Sequence, residues 1–340
     1  MTTLNAGTDN TGTDNAGTEN AGTRNVRVLY ITGMTRCGST MLGNVLNELP
    51  GVVHIGELHY LWRNGILRSG TNSQCGCGDR LADCELWSEV MASAATPTDP
   101  AHARWMVAVQ DRYLRTRHTP ARLAEARGPL RRAHALDAAL DVTARIYRAL
   151  AARPGTRLIV DSSKYPAEAA ALLGLRDPDL DLRVLHMVRD PRATAFSYQR
   201  QKNYIAEMSP LRSTAGWSGV NLASELVGKA APGRYLRVRH EDFGRDPRGV
   251  LGEVMRFAGV DGPGPVGDGG RVSLGENHTV TGNPDRLDRG EVAIRCDERW
   301  RTGLDRAPRA VATVGAWPQI RRYGYEPAAG EAKTAEPAAG

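Results

Sequence analysis

The 340-residue sequence has no apolar run as long as a membrane-spanning helix requires. Residues 5–25 also lack any large apolar side chain, and a five-residue unit of the type NAGTD repeats through them. This segment has neither the basic start nor the apolar core of a secretory leader. We therefore expect a cytoplasmic protein without a membrane partner. Residues 1–25 should be a disordered repeat, because they can bury too little surface to fold.

Basic residues are not gathered into a run interleaved with aromatic side chains, as they are on many nucleic-acid-binding surfaces. The net charge is nevertheless +6. Such a charge favours an anionic ligand, while the lack of a basic run argues against a nucleic-acid partner.

The five cysteines do not form the paired CxxC pattern of a structural zinc site. Cys75, Cys77 and Cys84 follow a C-x-C-x6-C spacing, with no fourth ligand nearby in the sequence. A disulfide would be unusual in a cytoplasmic protein. The spacing therefore favours a reduced, locally packed loop over a zinc site. We expect no metal, although the role of these three residues stays open.

Strand-like and helix-like segments alternate from residue 26 to residue 325. The predicted strands lie at residues 26–31, 52–55, 157–161, 182–188 and 234–238. This alternation predicts one α/β domain with three layers, a P-loop-like fold in which helices flank a central, mostly parallel sheet. An alanine- and arginine-rich stretch at residues 98–152 is expected to be a helical insertion, and residues 326–340 a flexible tail.

The segment VRVLYITGMTRCGSTMLGNVLN, residues 26–47, predicts a buried strand, a glycine loop and a helix. Within it, GMTRCGST at residues 33–40 is the phosphate-binding P-loop pattern with Ser39 in the place of the usual lysine. Because that lysine normally reaches the β- and γ-phosphates, its absence argues against hydrolysis of ATP or GTP. Arg36 offers another cation inside the loop. A glycine turn that serves only folding is the alternative.

Polar side chains follow three other predicted strands. Glu57 comes just after the second strand with His59 close by, Lys164 follows the third, and Arg189 follows the fourth. The carboxyl ends of parallel strands meet at one rim of a sheet, where such sheets bind ligands. A phosphate loop, cations, a carboxylate and an imidazole at one rim would suit the transfer of an anionic group from a nucleotide donor.

Two segments of the sequence resemble segments of a known protein family. The stretches TGMTRCGSTML, residues 32–42, and VRDPRATAFS, residues 188–197, resemble the sulfotransferases that use 3′-phosphoadenosine 5′-phosphosulfate (PAPS). The resemblance implies that a sulfonate moves from PAPS to a hydroxyl or amine of a small molecule, natural product or glycan. It also implies in-line displacement that uses a general base and no metal.

The resemblance assigns roles to individual residues. The 5′-phosphosulfate of the donor would lie on the glycine loop, at Arg36, Cys37, Gly38, Ser39 and Thr40. The 3′-phosphate would be held by Arg189 and Ser197. The polar loop ENHTVTGNPDR, residues 276–286, would add His278, Gly282, Asn283 and Arg286 to the donor site. For His278 and Arg286, support of that loop is an equal alternative.

By the same resemblance, Glu57 is the expected general base and His59 the alternative base, while Arg36 and Lys164 act near the transferring group. Glu57 could instead cap the helix that follows it, and Lys164 could be a surface lysine. Two other functions stay open: a non-catalytic P-loop-derived nucleotide-binding module and a small-molecule kinase. The identity of the acceptor and the oligomeric state are not predicted.

Overall fold

The computed structural model describes residues 25–70, 72–128, 130–175, 177–199 and 207–326. The predicted disordered repeat at residues 1–25 and the predicted tail at residues 326–340 lie outside these residues, apart from Asn25 and Glu326. Both therefore stay predictions. None of the described helices combines the length and the apolarity that crossing a bilayer requires.

Five parallel strands form the central sheet, and each contains a segment that the sequence predicts as a strand. In chain order they are β1 (Val26–Thr32), β2 (Val52–Gly56), β3 (Leu158–Lys164), β4 (Leu180–Val188) and β5 (Tyr235–Arg239). Their order across the sheet is β2-β3-β1-β4-β5, so β1 is central and pairs with strands that come much later in the chain. The predicted α/β fold is confirmed.

The central strand β1 is buried on both faces of the sheet. Val28 and Tyr30 belong to one hydrophobic core, while Leu29 and Ile31 belong to another on the opposite face. Successive side chains of a strand point to opposite faces, so an almost uninterrupted apolar run is what two cores require. This two-sided burial explains why the first strand could be predicted from a run without alternation.

Helices cover both faces of the sheet and give the fold its three layers. The described helices are α1 (Ser39–Asn47), α2 (Glu85–Ser93), α3 (Pro100–Tyr113), α4 (Thr119–Arg127), α5 (His134–Ala152), α6 (Pro166–Leu173), α7 (Pro191–Gln199), α8 (Pro210–Ala230), α9 (His240–Arg245), α10 (Pro247–Ala258), α11 (Trp300–Gly303), α12 (Arg306–Gly315) and α13 (Trp317–Arg322). Apolar side chains of α1 and α10 fill one core, and those of α5 and α6 fill the other.

The predicted helical insertion at residues 98–152 contains α3, α4 and α5, which belong to the connection between β2 and β3. Its last helix packs on the sheet, where the Tyr147 hydroxyl donates a 2.7 Å hydrogen bond to Oδ2 of Asp161 in β3. The short helix predicted at residues 58–67 is a 3-10 turn at Leu58–Tyr60 followed by a π-helix at Leu61–Ile66.

The structure has two features that the sequence did not predict: a small hairpin, and a loop that covers one edge of the sheet. A small antiparallel hairpin, β6 (Arg271–Leu274) with β7 (Gly290–Ala293), was not predicted, because both strands are four residues long and carry few apolar side chains. The polar loop of residues 276–286 lies between these two strands. The amide of Val280 in this loop donates a 2.9 Å hydrogen bond to the carbonyl of Ile55, so the loop covers the outer edge of β2.

Close packing of α1 on β2 gives a stability prediction. A Cβ added at Gly43 would lie 2.3 Å from Nε2 of His54, whose ring is held by Asn44 and Ser162 at 3.3 and 3.2 Å. We expect Gly43→Ala to lower the free energy of unfolding by about 1–3 kcal/mol, measured by urea denaturation. Gly252→Ala in α10 is the control, since a Cβ there meets no described atom within 4 Å and should stabilise the helix by about 0.5–1 kcal/mol. Equal effects of the two changes would contradict this account.

Candidate active site

A cleft of about 620 Å³ lies at the carboxyl ends of the parallel strands, at the rim that the sequence predicts. Most of the predicted site residues line it. Those that do are Arg36, Gly38, Ser39, Thr40, Glu57, Lys164, Arg189, Ser197, Gly282 and Asn283. The other four predicted residues, Cys37, His59, His278 and Arg286, lie outside the cleft.

The glycine loop forms one wall of the cleft and leads into α1. Gly38 precedes the helix in a left-handed conformation, with φ of 94°, and as a glycine it has no side chain with which to cap the helix. The first N–H groups of a helix have no partner within the helix, and the positive end of the helix dipole adds to their attraction for anions. This end of the cleft therefore has the properties of a phosphate site.

The predicted 3′-phosphate residues lie against the same loop. Nε of Arg36 donates a 2.8 Å hydrogen bond to Oγ of Ser197, and Nη1 of Arg189 donates a 3.1 Å bond to the carbonyl of Arg36. Arg189 also lies 3.6 Å from a carboxylate oxygen of Asp297. Arg36, Arg189 and Ser197 thus form one cationic end of the cleft. Arg36 lies 153 residues before Arg189 and 161 before Ser197 in the sequence.

Irregular backbone at the ends of β2 and β3 carries Glu57 and Lys164. The pairing of β3 with β1 shifts register near its end, and Lys164 adopts a left-handed backbone with φ of 74°. The pairing of β2 with β3 shifts at Gly56, where an added Cβ would lie 2.8 Å from the carbonyl oxygen of Thr281. Such irregularities re-aim side chains at the rims of sheets.

Glu57 and Lys164 form an ion pair between Oε1 and Nζ, and Lys164 also donates a 3.0 Å hydrogen bond to the carbonyl of Ser162. Only 15% of the Glu57 side chain and 10% of the Lys164 side chain are exposed. Lys164 is therefore not a surface lysine. Within the described chain, the Glu57 side chain makes no capping bond to the turn that follows it, so its partner is Lys164 rather than a helix end.

His59, the alternative base, is buried beside the cleft rather than in it. Its Nδ1 lies 2.9 Å from Oε2 of Glu168, and its ring stacks on Tyr165 with centroids 3.9 Å apart. The structure thus gives this imidazole a packing role. Cys37 is also buried, and burial raises the pKa of its thiol, which does not suit a nucleophile.

His278 and Arg286 do not line the cleft, and their contacts are those of loop support, the alternative that the sequence leaves open. The side chain of Arg286 is buried and donates hydrogen bonds to the carbonyls of Thr279 at 3.2 Å and Gln74 at 2.9 Å. Nδ1 of His278 lies 3.3 Å from Sγ of Cys84. The three clustered cysteines therefore have a fourth candidate ligand nearby, which their spacing in sequence did not offer.

The remaining two residues of the loop do reach the cleft. A Cβ added at Gly282 would lie 3.6 Å from Oε1 of Glu57 and 3.8 Å from Oγ1 of Thr40. The amide nitrogen of the Asn72 side chain donates a 3.0 Å hydrogen bond to the carbonyl of Gly282, and that of Asn64 donates to Oγ1 of Thr281 at 3.3 Å. Side-chain amides and a hydroxyl thus line the same cleft as the Glu57 carboxylate.

Several cleft residues were not predicted as site residues. Of these, His240 could have been found by the rule that polar residues just after parallel strands meet at one rim of the sheet. It directly follows β5, at the same rim as the others, and lines the cleft. Burial, with the nearby charge of Arg189 as a second cause, lowers the pKa of His240 to about 3. This imidazole is therefore neutral at pH 7. Tyr60, Asn64 and Asn72 follow β2 in an irregular segment that gave no signal in the sequence.

Comparison with known proteins identifies the family to which the chain belongs. A sequence model described as "Sulfotransferase family" matches residues 29–263, more than half of the chain. The chain belongs to the sulfotransferase family. The predicted resemblance is thereby confirmed at the level of the family.

Curated relatives of this sulfotransferase match parts of the chain. Human carbohydrate sulfotransferase 3 is 29% identical over 170 residues, which cover 44% of this chain and 35% of the relative. Mouse carbohydrate sulfotransferase 5 is 33% identical over 106 residues, covering 25% of this chain and 27% of the relative. The chain thus spans about a third or less of the length of these two relatives.

A solved structure agrees with the fold over most of the chain. The sulfotransferase domain of the Synechococcus PCC 7002 olefin synthase superposes with a TM-score of 0.55 at 22% identity. The match covers 89% of this chain and 97% of that domain. At this level of identity the likeness supports the fold of the sulfotransferase described here.

The lowered pKa of His240 predicts a pH-dependent stability. The native imidazole stays neutral down to about pH 3, whereas the unfolded one takes up a proton below about pH 6.5. Protons thus favour the unfolded state as the pH falls through this window. Relative to His240→Asn, the wild type should lose about 1.4 kcal/mol of unfolding free energy per pH unit between pH 6 and pH 4. Urea denaturation at each pH measures this loss.

The control lies at higher pH. Above about pH 7.5 the imidazole is neutral in both states, so the difference between wild type and His240→Asn should stay constant. A difference that is equally constant between pH 7 and pH 4 would contradict a buried, neutral His240.

Proposed function

We propose that this sulfotransferase moves a sulfonate group from PAPS to a hydroxyl or amine of a small molecule or glycan. One observation carries the proposal: a phosphate loop with Arg36, Arg189 and Ser197 lies in the same cleft as the Glu57–Lys164 ion pair. The first group suits a donor with two anionic ends, and the second suits proton and charge transfer beside it.

The donor end has the groups that PAPS needs. Backbone amides at the start of α1, with the hydroxyls of Ser39 and Thr40, would hold the 5′-phosphosulfate. Arg189 and Ser197 would hold the 3′-phosphate, and Arg36, which bonds Ser197, lies between the two. A guanidinium can bind a phosphate through two parallel hydrogen bonds, so an arginine suits this role better than a lysine.

The reacting end supplies a base and a cation. In the proposed reaction, Glu57 takes the proton of the acceptor hydroxyl while the oxygen attacks the sulfur of the donor in line. The bond between sulfur and the phosphate oxygen breaks, and the negative charge that collects on this leaving oxygen is stabilised by Lys164. The products are a sulfated acceptor and 3′-phosphoadenosine 5′-phosphate. The two imidazoles near the cleft fit this role less well, since His59 is held by Glu168 and His240 has a pKa of about 3.

The surroundings of Glu57 favour an uncharged, hydroxyl-rich acceptor. Asn64, Asn72, Thr281 and Tyr60 line the cleft here, and they offer amides, hydroxyls and an aromatic ring rather than cations. Such groups suit the hydroxyls and the apolar faces of a sugar or polyol. The names of the two curated relatives, both carbohydrate sulfotransferases, agree with this choice. A cytoplasmic location stays a prediction.

The direct test is to incubate the protein with PAPS and a panel of neutral and anionic glycans and phenols. Release of 3′-phosphoadenosine 5′-phosphate with a neutral glycan would support the proposal, and calorimetry should detect binding of PAPS without a divalent cation. Binding without turnover on any acceptor would favour a nucleotide-binding module. Magnesium-dependent binding of ATP that ignores a 3′-phosphate would favour a kinase.

Glu57→Gln tests the base. The amide keeps the size of the side chain but cannot accept the acceptor proton, so turnover should fall by a factor of about 10²–10⁴. The affinity for 3′-phosphoadenosine 5′-phosphate, measured by calorimetry, should change little. The control is Glu253→Gln on the exposed face of α10, which should leave turnover unchanged. An unchanged turnover in Glu57→Gln would show that Glu57 is not the base.

Arg189→Ala tests the 3′-phosphate site. Loss of a charge-assisted contact costs about 1.5–3 kcal/mol, so affinity for 3′-phosphoadenosine 5′-phosphate should fall about ten- to hundredfold. Adenosine 5′-phosphate, which lacks the 3′-phosphate, is the matched ligand and should lose much less. Arg189 also bonds the glycine loop, so the difference between the two ligands is the relevant quantity. Equal losses would contradict the assignment.

A further inference from the structure

Three cysteines and a histidine converge outside the cleft. Sγ of Cys75, Cys77 and Cys84 and a ring nitrogen of His278 all lie within 4.8 Å of one another. Nδ1 of His278 is 3.3 Å from Sγ of Cys84 and 3.8 Å from Sγ of Cys75. Cys75 and Cys84 are completely buried, and the other two are partly buried. The proposed transfer of a sulfonate uses none of these four side chains.

The two distances from His278 are close to those of a tetrahedral zinc site. With Zn–S bonds of about 2.3 Å and Zn–N bonds of about 2.0 Å, a tetrahedron holds sulfur and nitrogen about 3.5 Å apart and two sulfurs about 3.8 Å apart. The two distances from His278 bracket the first value. Three sulfurs and one imidazole nitrogen are also a common ligand set of closed, structural zinc sites.

Close backbone approach brings the fourth ligand to the cysteines. A Cβ added at Gly76, between Cys75 and Cys77, would lie 2.0 Å from Oδ1 of Asn277, the neighbour of His278. The amide of Gly76 donates a 2.9 Å hydrogen bond to the carbonyl of Thr279. A glycine in the C-x-C segment thus lets the polar loop pack directly on the cysteine loop. This contact explains how a ligand 194 residues beyond Cys84 can complete the set.

Groups around the histidine orient it as a ligand. Its Nε2 lies 3.8 Å from a carboxylate oxygen of Glu276, while Nδ1 faces the sulfurs. The indole nitrogen of Trp87 donates a 2.7 Å hydrogen bond to the carbonyl of His278 and fixes its backbone. A carboxylate beside the second ring nitrogen is the arrangement found behind many zinc-bound histidines.

The charge of a filled site would also be balanced. Three thiolates, a neutral imidazole and Zn²⁺ carry a net charge of −1. Two arginines bond the backbone on either side of Cys75: Arg286 donates to the carbonyl of Gln74 at 2.9 Å and Arg289 to that of Gly76 at 2.6 Å. Arg289 is exposed, but the charge of the buried Arg286 in this place suits an anionic cluster better than three neutral thiols.

We propose that Cys75, Cys77, Cys84 and His278 bind one structural zinc ion, with release of the thiol protons. The ion joins the cysteine loop to the polar loop of residues 276–286. That loop supplies Thr281, Gly282 and Asn283 to the cleft, so the metal fixes one wall of the cleft without touching the reacting groups. A disulfide is the competing arrangement, and it would use two sulfurs and leave the third sulfur and the imidazole without a role.

The test is metal analysis of the whole chain, purified without a histidine tag and dialysed against a weak chelator. We expect about one zinc per chain by elemental mass spectrometry. Cobalt exchanged into the site should give the intense visible absorption of tetrahedral Co²⁺ together with thiolate-to-metal bands. A wild-type chain without zinc, a chain that carries iron instead, or an intact mass that shows a disulfide would each overturn the proposal.

Variants locate the metal. Cys84→Ser and His278→Gln should reduce the zinc content to below about a tenth. Cys296→Ser is the matched control, because this partly buried free cysteine lies outside the cluster and should leave one zinc per chain. Cys77→Ser is included because Cys77 is partly exposed, so this variant should fold even if the change at the buried Cys84 prevents folding. Full zinc content in folded Cys77→Ser and His278→Gln would overturn the assignment.

Discussion

Glu57 and Lys164 meet because two neighbouring parallel strands both lose their regular register at their carboxyl ends. In regular strands these side chains would point to the faces of the sheet, where the two cores lie. The irregular ends turn them toward the cleft instead. Once they are there, the two charges pair with each other, and 15% of the Glu57 side chain and 10% of the Lys164 side chain stay exposed. The glycine loop on one side and the polar loop on the other are arranged around this pair.

The sheet and the donor side of the cleft could be predicted from the sequence because their signals are local. The buried run of β1, the glycine spacing and the polar residues after β3 and β4 each depend on neighbours in the chain. The places of His278 and Arg286 could not be predicted, because the side of a loop that faces a cleft is set by packing on distant segments. For the same reason Tyr60, Asn64 and Asn72 were missed. His240 lies at the carboxyl end of a strand, as Lys164 does, and could have been found for that reason.

Two kinds of structure hold the walls of the cleft: regular strands on one side and irregular segments on the other. The proposed donor side lies on the sheet itself, since the glycine loop and Arg189 directly follow strands β1 and β4. The wall beside Glu57 lies on irregular segments that the cysteine cluster and Arg286 hold together. Rigid strands suit a donor of constant shape, whereas loops can vary with little effect on the sheet. This division would let the wall beside Glu57 change while the glycine loop and Arg189 stay in place.

The hydrogen bond from Val280 to Ile55 has a consequence beyond the cleft. Strand β2 is an edge of the five-stranded sheet, and an uncovered edge presents N–H and C=O groups that can pair with a strand of another chain. The polar loop occupies part of this edge. The segment that forms a wall of the cleft therefore also shields part of an edge that could otherwise pair with another chain. Loss of this loop would expose the edge of β2 and remove a wall of the cleft together, so the protection of the sheet and the shape of the cleft depend on the same few residues.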